Sequence, residues 1–380
     1  MLGLSLLAVD LRWSSNVNGK RSTGEKFAPR NILLIQGRNF GDAVITTGLV
    51  EALGQSFPES NLAVFTRPHF RPLYERSPYV SAAYAANFPM GTDKRFGISE
   101  AVKLLRQIWT LRGHRFDCVI HLGGDFRENF LSWLISPRGT LSPSWARGHP
   151  FRRVIRDGLG FLRAHPVPIE CEELNIYTAQ ERIAEALGAT TPAHPRLYTE
   201  DGKIIEHAPT INAIGLHISA SLECKQWPVS AWRALIAGIR VRGFGVRLFA
   251  APEERENVLE NYSDVIDEQS ELITGSLSEF FMALSHVRAV VCLDSFSIHA
   301  AHAIGVPSIM LNGGHLAELV LPPGSEVVDG GQGLACAPCM NKPTCGDSEE
   351  PYQCIRRIDP ETVLVRLERL CSARAETLNG

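Results

Sequence analysis

Short apolar runs alternate with segments of helical period along most of this chain. The run "NILLIQ" (31–36) has strand length, and the loop "GRNFGD" and a helical pattern from Ala43 follow it. Val44, Thr47, Leu49, Val50 and Leu53 are spaced to form one buried face of that helix. "NLAVF" (61–65) and "VSAAY" (80–84) read as strands flanking a helix near 69–76. The helical "SEAVKLLRQIWTLR" (99–112) precedes a further strand, "FDCVIHL" (116–122). This alternation predicts an α/β fold built on a parallel, doubly wound sheet.

Between 137 and 168 the pattern breaks into Pro-, Gly- and Arg-rich sequence before a helix through 172–187. The less periodic, Pro-bearing stretch 189–210 reads as an interdomain linker. The alternation then restarts. Strands are predicted at 212–219, 245–251, 289–295 and "PSIMLN", with helices at 228–243, from "PEERENVLENY", at 276–287 and at "SIHAAHAIG". A last helix covers 359–376. The pattern therefore predicts two Rossmann-like domains: a leader at 1–29, a first domain at 30–190, a linker at 191–210 and a second domain at 211–356. Residues 357–380 form a terminal helix.

Composition narrows the class. The 380 residues are 44% hydrophobic and 21% charged, an ordinary globular mixture. The formal charge of -3 gives no general affinity for nucleic acid. No apolar run approaches the roughly 18–20 residues of a membrane helix, and the N-terminal "LGLSLLAV" lacks the flanks of a signal peptide, so a cytoplasmic location is expected. Nine cysteines, an odd number in a long chain, favour reduced thiols or a metal over a disulfide scaffold. Residues 90–165 carry thirteen Lys/Arg against six Asp/Glu, a basic stretch suited to an anionic acceptor or membrane surface.

Four segments carry candidate chemistry. In the first loop, Gly37 and Gly41 permit close backbone approach, and Asp42 sits at the helix start as a cap or a catalytic carboxylate. In "GLHISASLECKQWP" (215–228), Ser219 and Ser221 offer hydroxyls, and Lys225, the sole lysine between 203 and 342, suits a phosphate oxygen. In "CLDSFSIHAA" (292–301), Asp294, Ser295 and His299 flank a helix start able to hold an anion. Cys336, Cys339, Cys345 and Cys354 lie within 19 residues. They read as a structural zinc or iron site, with reduced thiols or a disulfide as the alternative.

In order and spacing these segments resemble the heptosyltransferases of glycosyltransferase family 9, over about residues 31–370. The opening strand and Gly-Asp loop, "IGLHISASLECKQWP", "LFAAPEERE", "LDSFSIHAAHAIGVPSIMLNG" and the Cys-x-Pro-Cys tail carry the resemblance. It implies a GT-B architecture with the active site between the domains and a final helix crossing back to the first domain. It further implies inverting transfer of heptose from ADP-heptose to a lipopolysaccharide core-type acceptor, without a catalytic metal. By the same resemblance Asp42 is the general base, Lys225 a phosphate contact and Glu254 a ribose contact. Asp294, Ser295 and His299 fall in the pyrophosphate loop. The chain departs from the pattern at Ser219 and Phe296, where the family has glycine. Those departures leave open a different sugar or acceptor, or a relative that binds a nucleotide sugar without turnover.

Overall fold

The computed structural model describes residues 29–89, 96–123, 126–135, 140–145, 164–169, 175–340 and 342–379. All but the last residue of the expected leader lies outside them, as do eight of the thirteen basic residues counted over 90–165.

The described chain forms two six-stranded parallel sheets. The first contains β1 (Asn31–Gln36), β2 (Asn61–Thr66), β3 (Val80–Ala85), β4 (Cys118–His121), β5 (Thr140–Trp145) and β6 (Ala164–Ile169). Its helices are α1 (Phe40–Ser56), α2 (Arg71–Glu75), α3 (Ile98–Gly113) and α4 (Phe126–Ile135), and α5 (Ile176–Leu187) follows. The second sheet contains β7 (Ala213–His217), β8 (Gly245–Phe249), β9 (Ser270–Ile273), β10 (Ala289–Leu293), β11 (Ser308–Asn312) and β12 (Glu326–Asp329). Between and after these strands come α6 (Val229–Val241), α7 (Arg255–Tyr262), α8 (Leu277–Ser285), α9 (Phe296–Ile304), α10 (Gln353–Arg356) and α11 (Pro360–Asn379).

The strand orders are β3-β2-β1-β4-β5-β6 and β12-β11-β10-β7-β8-β9, the same winding in both sheets. Each order reverses direction once, between β1 and β4 and between β7 and β10. A crevice at the carboxyl ends of those pairs is where open α/β sheets bind ligands. The central strands are largely apolar because helices cover both their faces; every residue of β10 is apolar and buried.

Four strands escape the sequence pattern. β5 and β6 fall in the stretch read as broken, and β9 and β12 are four-residue strands. β6 carries Pro166 and Pro168 yet forms the edge of its sheet, where a missing N–H costs no ladder bond on the open side.

α1 is buried more completely than one helical face predicts: Ala43 through Gly54 are all buried. The cause is contact on several sides, with its own sheet, α9 and the segment 189–205. A Cβ at Gly48 would stand 2.4 Å from the Ala193 carbonyl oxygen, and Tyr198 Oη donates to Glu51 Oε1 at 2.8 Å. The stretch expected to be a linker is therefore packed along α1.

The first half of the terminal helix lies against the second sheet. The described side chains of α11 pack on α6, with Val363, Leu364 and Leu367 in the second sheet's core. Gly238 on α6 opens the notch: a Cβ there would stand 2.5 Å from Leu364 Cδ2. Among the described residues no helix is long and apolar enough to cross a membrane.

Candidate active site between the two sheets

The three loops singled out for donor and acceptor chemistry leave the carboxyl ends of β1, β7 and β10, at the two reversal points. The β1 loop is held by its surroundings. Arg67 Nε donates to the Gly37 carbonyl at 2.7 Å, and the Arg38 N–H donates to Gln36 Oε1 at 2.7 Å. Gly37 is required by packing, since a Cβ there would enter the Phe88 ring at 2.5 Å. Asp42 lies in the first turn of α1, and its Oδ2 accepts the Asn39 N–H at 3.2 Å. Burial raises its pKa above the ordinary aspartate value; Arg38 and the Asn39 N–H oppose the shift, and Glu128 and Asp294 reinforce it.

The β7 and β10 loops are tied together. Lys225 Nζ donates to Asp294 Oδ2 at 2.7 Å and to the Asp294 carbonyl at 3.1 Å. Both side chains are mostly buried, at 17% and 10% exposure, so the pair is shielded from solvent. Ser219 Oγ donates to Glu254 Oε2 at 2.6 Å, and the same oxygen accepts the Ala251 N–H at 2.9 Å. The hydroxyl that replaces the family's glycine thus engages the residue expected to meet a ribose. Ser221 is exposed in the same loop, and Ser295 starts α9 with its hydroxyl 2.8 Å from Ser297 Oγ. Trp227 is core, edge-on to Trp232.

His299 is placed differently from an open anion ligand. Its Nδ1 lies 2.8 Å from Tyr177 Oη of α5, and burial pushes its pKa down to about 4. Its ring edge also borders Gly41, where a Cβ would stand 2.8 Å from His299 Cδ2. Phe296 packs beside it, its ring centroid 4.7 Å from Phe40 and 5.4 Å from His217. The N-termini of α1 and α9 therefore meet directly, and Gly41 allows it. Gly41→Ala is expected to cost about 1–3 kcal/mol by overpacking and to slow turnover by forcing the two N-termini apart. Thermal unfolding and steady-state kinetics on that variant check both effects.

Several residues escaped sequence reasoning. Glu128, 1% exposed on α4, has carboxylate oxygens 3.8 Å from Arg38 Nε and 3.8 Å from His121 Nδ1. Its charge adds to the rise of the Asp42 pKa. His315 Nδ1 is buried without a hydrogen-bond partner among the described residues, 3.8 Å from Asp294 Oδ2. Tyr177 joins α5 to α9. Their common signal is position: Glu128 follows β4 and His315 follows β11, both at carboxyl ends of strands.

The four cysteines border one cavity, and a fifth borders it with them. Cys224, Cys336, Cys339, Cys345 and Cys354 line one cavity of about 10 Å³, near the space one water occupies. Gly314 makes room for this: a Cβ there would lie 2.5 Å from Cys339 Sγ. The donor chemistry suits a thiophilic metal. As placed, no group of three or more His, Cys, Asp or Glu among the described residues is gathered to hold an ion. The eight described cysteines form no disulfide.

Residues 104–349 match the family model described as glycosyltransferase family 9 (heptosyltransferase). The chain is 32% identical over 169 residues to lipopolysaccharide heptosyltransferase 1 of Pseudomonas aeruginosa, covering 40% of this chain. The matched part spans 46% of that protein, about half its length. Among solved structures, the ADP-heptose lipopolysaccharide heptosyltransferase II of E. coli superposes with a TM-score of 0.64 at 18% identity, over 91% of this chain and 99% of that one. The iron-containing dodecameric glycosyltransferase TibC of enterotoxigenic E. coli superposes with a TM-score of 0.54 at 13% identity, over 92% and 78%. At such identities the structural likeness establishes the fold, a GT-B pair of Rossmann-like units.

Proposed function

This chain belongs to glycosyltransferase family 9, and on that premise we propose that it transfers heptose, with inversion, from ADP-heptose to a lipopolysaccharide core-type acceptor. The observation that carries the reading is the facing of two reversal points: Asp42 at one, and the Lys225–Asp294 pair with the α9 N-terminus at the other. The acceptor hydroxyl attacks the anomeric carbon and gives its proton to the Asp42 carboxylate. The bond from that carbon to the diphosphate breaks, and ADP leaves with the electron pair. Lys225 and the free N–H groups that start α9 meet the charge growing on the diphosphate. The reading calls for no catalytic metal. Because burial raises the Asp42 pKa, the acid limb of the rate profile should lie above the ordinary aspartate range: activity falls as pH drops through the raised value.

Glu254 is proposed to meet the ribose and Ser219, Ser221 and Ser295 to line the donor site, with His299 acting through the α1–α9 contact. Work at the cytoplasmic face of the membrane follows from a lipid-anchored acceptor. A second reading, a different nucleotide sugar or binding without turnover, draws on Ser219 and Phe296. The Ser219 bond already occupies Glu254. Calorimetric titration with ADP, ADP-heptose and uridine and guanosine diphosphate sugars tests the reading. ADP-heptose should bind best; preference for another nucleotide would favour the second reading.

The thiol cavity is proposed as a structural zinc or iron site held by Cys336, Cys339, Cys345 and Cys354. A fully thiolate-bound ion would brace the C-terminal segment and leave no open catalytic position. Metal analysis of purified protein should give about one ion per chain, as such a closed site holds, and Cys339→Ser should lose it. A metal-free, fully folded preparation would retire the site.

A further inference from the structure

Ten large apolar side chains are exposed among the described residues, and five of them belong to two neighbouring helices of the first sheet. On α3 they are Ile98 at 87% exposure, Val102 at 44%, Leu105 at 52% and Trp109 at 74%; on α4 it is Phe130 at 48%. At 100° per residue the four α3 positions fall within about 60° of arc, a single stripe about 16 Å long. The opposite side of the helix is ordinary core, with Leu104, Ile108 and Leu111 buried on the sheet. α3 therefore carries two apolar faces, and its own fold uses one.

The charges beside the stripe identify what would cover the other. Helical spacing puts Arg106 on one flank and Arg112, which also donates to the Leu134 carbonyl, on the other; Arg115 is exposed nearby, and Lys103 is paired with Glu100 at 2.9 Å. An amphipathic helix with a tryptophan in its apolar stripe and basic flanks lies in the interface plane of an anionic bilayer. A second copy of the chain fits poorly, because a two-fold contact on so narrow a stripe would bring arginine rims against each other. The stripe is also placed for such a role. α3 starts at the carboxyl edge of the first sheet, where Asn87 Nδ2 donates to Glu100 Oε2 at 2.6 Å and Phe88 backs Gly37. One end of the stripe thus lies on the edge that carries the Asp42 loop.

We propose that the exposed face of α3, with Phe130 of α4, docks the protein on an anionic lipid bilayer, seating the first sheet's cleft edge at the membrane surface. The contact needs neither donor nor acceptor, so it stands or falls independently of the transfer reaction.

Co-sedimentation with phosphatidylethanolamine/phosphatidylglycerol vesicles, against phosphatidylcholine vesicles, tests it. The wild type should partition onto the anionic vesicles and be released by high salt. The triple variant Val102→Ser, Leu105→Ser, Trp109→Ser should bind at least tenfold less, with its unfolding temperature unchanged because all three side chains are exposed. Arg106→Glu should weaken partition about fivefold or more, as loss of a surface cation does. Vesicle binding that is absent in the wild type, or equal in wild type and triple variant, would overturn the proposal. A wild-type dimer that the triple variant dissolves, without vesicle binding, would assign the face to a second copy instead.

Discussion

Asp42→Asn is expected to lower kcat by about a thousandfold, in the range that loss of a general base produces, while donor affinity stays unchanged. The separation follows from where Asp42 sits. It heads α1 on the acceptor side, and the Lys225–Asp294 pair that would meet the diphosphate belongs to the other sheet. The amide retains an oxygen for the Asn39 N–H, so the helix start survives. Stability should move in the opposite direction to activity. The folded pKa of Asp42 is raised, so its neutral form is the one the fold favours. That stabilising preference is present below the unfolded aspartate pKa and is lost as pH rises through the folded value. At neutral pH the asparagine variant should be as stable as the wild type or more so. Chemical denaturation alongside single-turnover rates reads both effects; an Asp42→Asn enzyme with undiminished turnover would remove Asp42 from the chemistry.

Lys225→Met carries the second large effect, and here stability and binding fall together. Removing the ammonium leaves the Asp294 carboxylate, 10% exposed, without its ion-pair partner. Breaking a buried pair from one side costs about 3–5 kcal/mol. Donor binding should weaken about ten- to hundredfold, the size of a lost hydrogen bond to a charged group. Adding Asp294→Asn separates the two roles. The double variant no longer buries an unpaired charge, so its stability should recover substantially, while donor affinity should not. Recovery of donor affinity in the double variant would mean that Lys225 acts on Asp294 alone.

Much of this site was legible because strand-ends and ligand crevices coincide in wound α/β sheets. Asp42, Lys225 and Asp294 each follow a recognisable apolar strand, and the structure puts all three at the reversal points of their sheets. What escaped did so for physical reasons. Glu128 and His315 carry no local motif, and their importance comes from the backbone bringing β4 and β11 beside the central strands. The burial of α1 on all sides needed knowledge of α9 and of the segment 189–205, both remote in sequence. β6 was hidden by Pro166 and Pro168, which its edge position tolerates. Phe296 stands where the family has glycine, and its ring joins an aromatic group with Phe40, His217 and Phe280. Cys224 was passed over because it is distant in sequence from the other four thiols that share its cavity.

The most direct measurement is product formation by the wild type from ADP-heptose and a truncated inner-core acceptor, followed by mass spectrometry beside a panel of other nucleotide sugars. The account predicts an acceptor heavier by one heptose, with ADP released in equal amount and little turnover of the other donors. Turnover of another nucleotide sugar in preference to ADP-heptose, or binding of ADP-heptose with no product after long incubation, would contradict it.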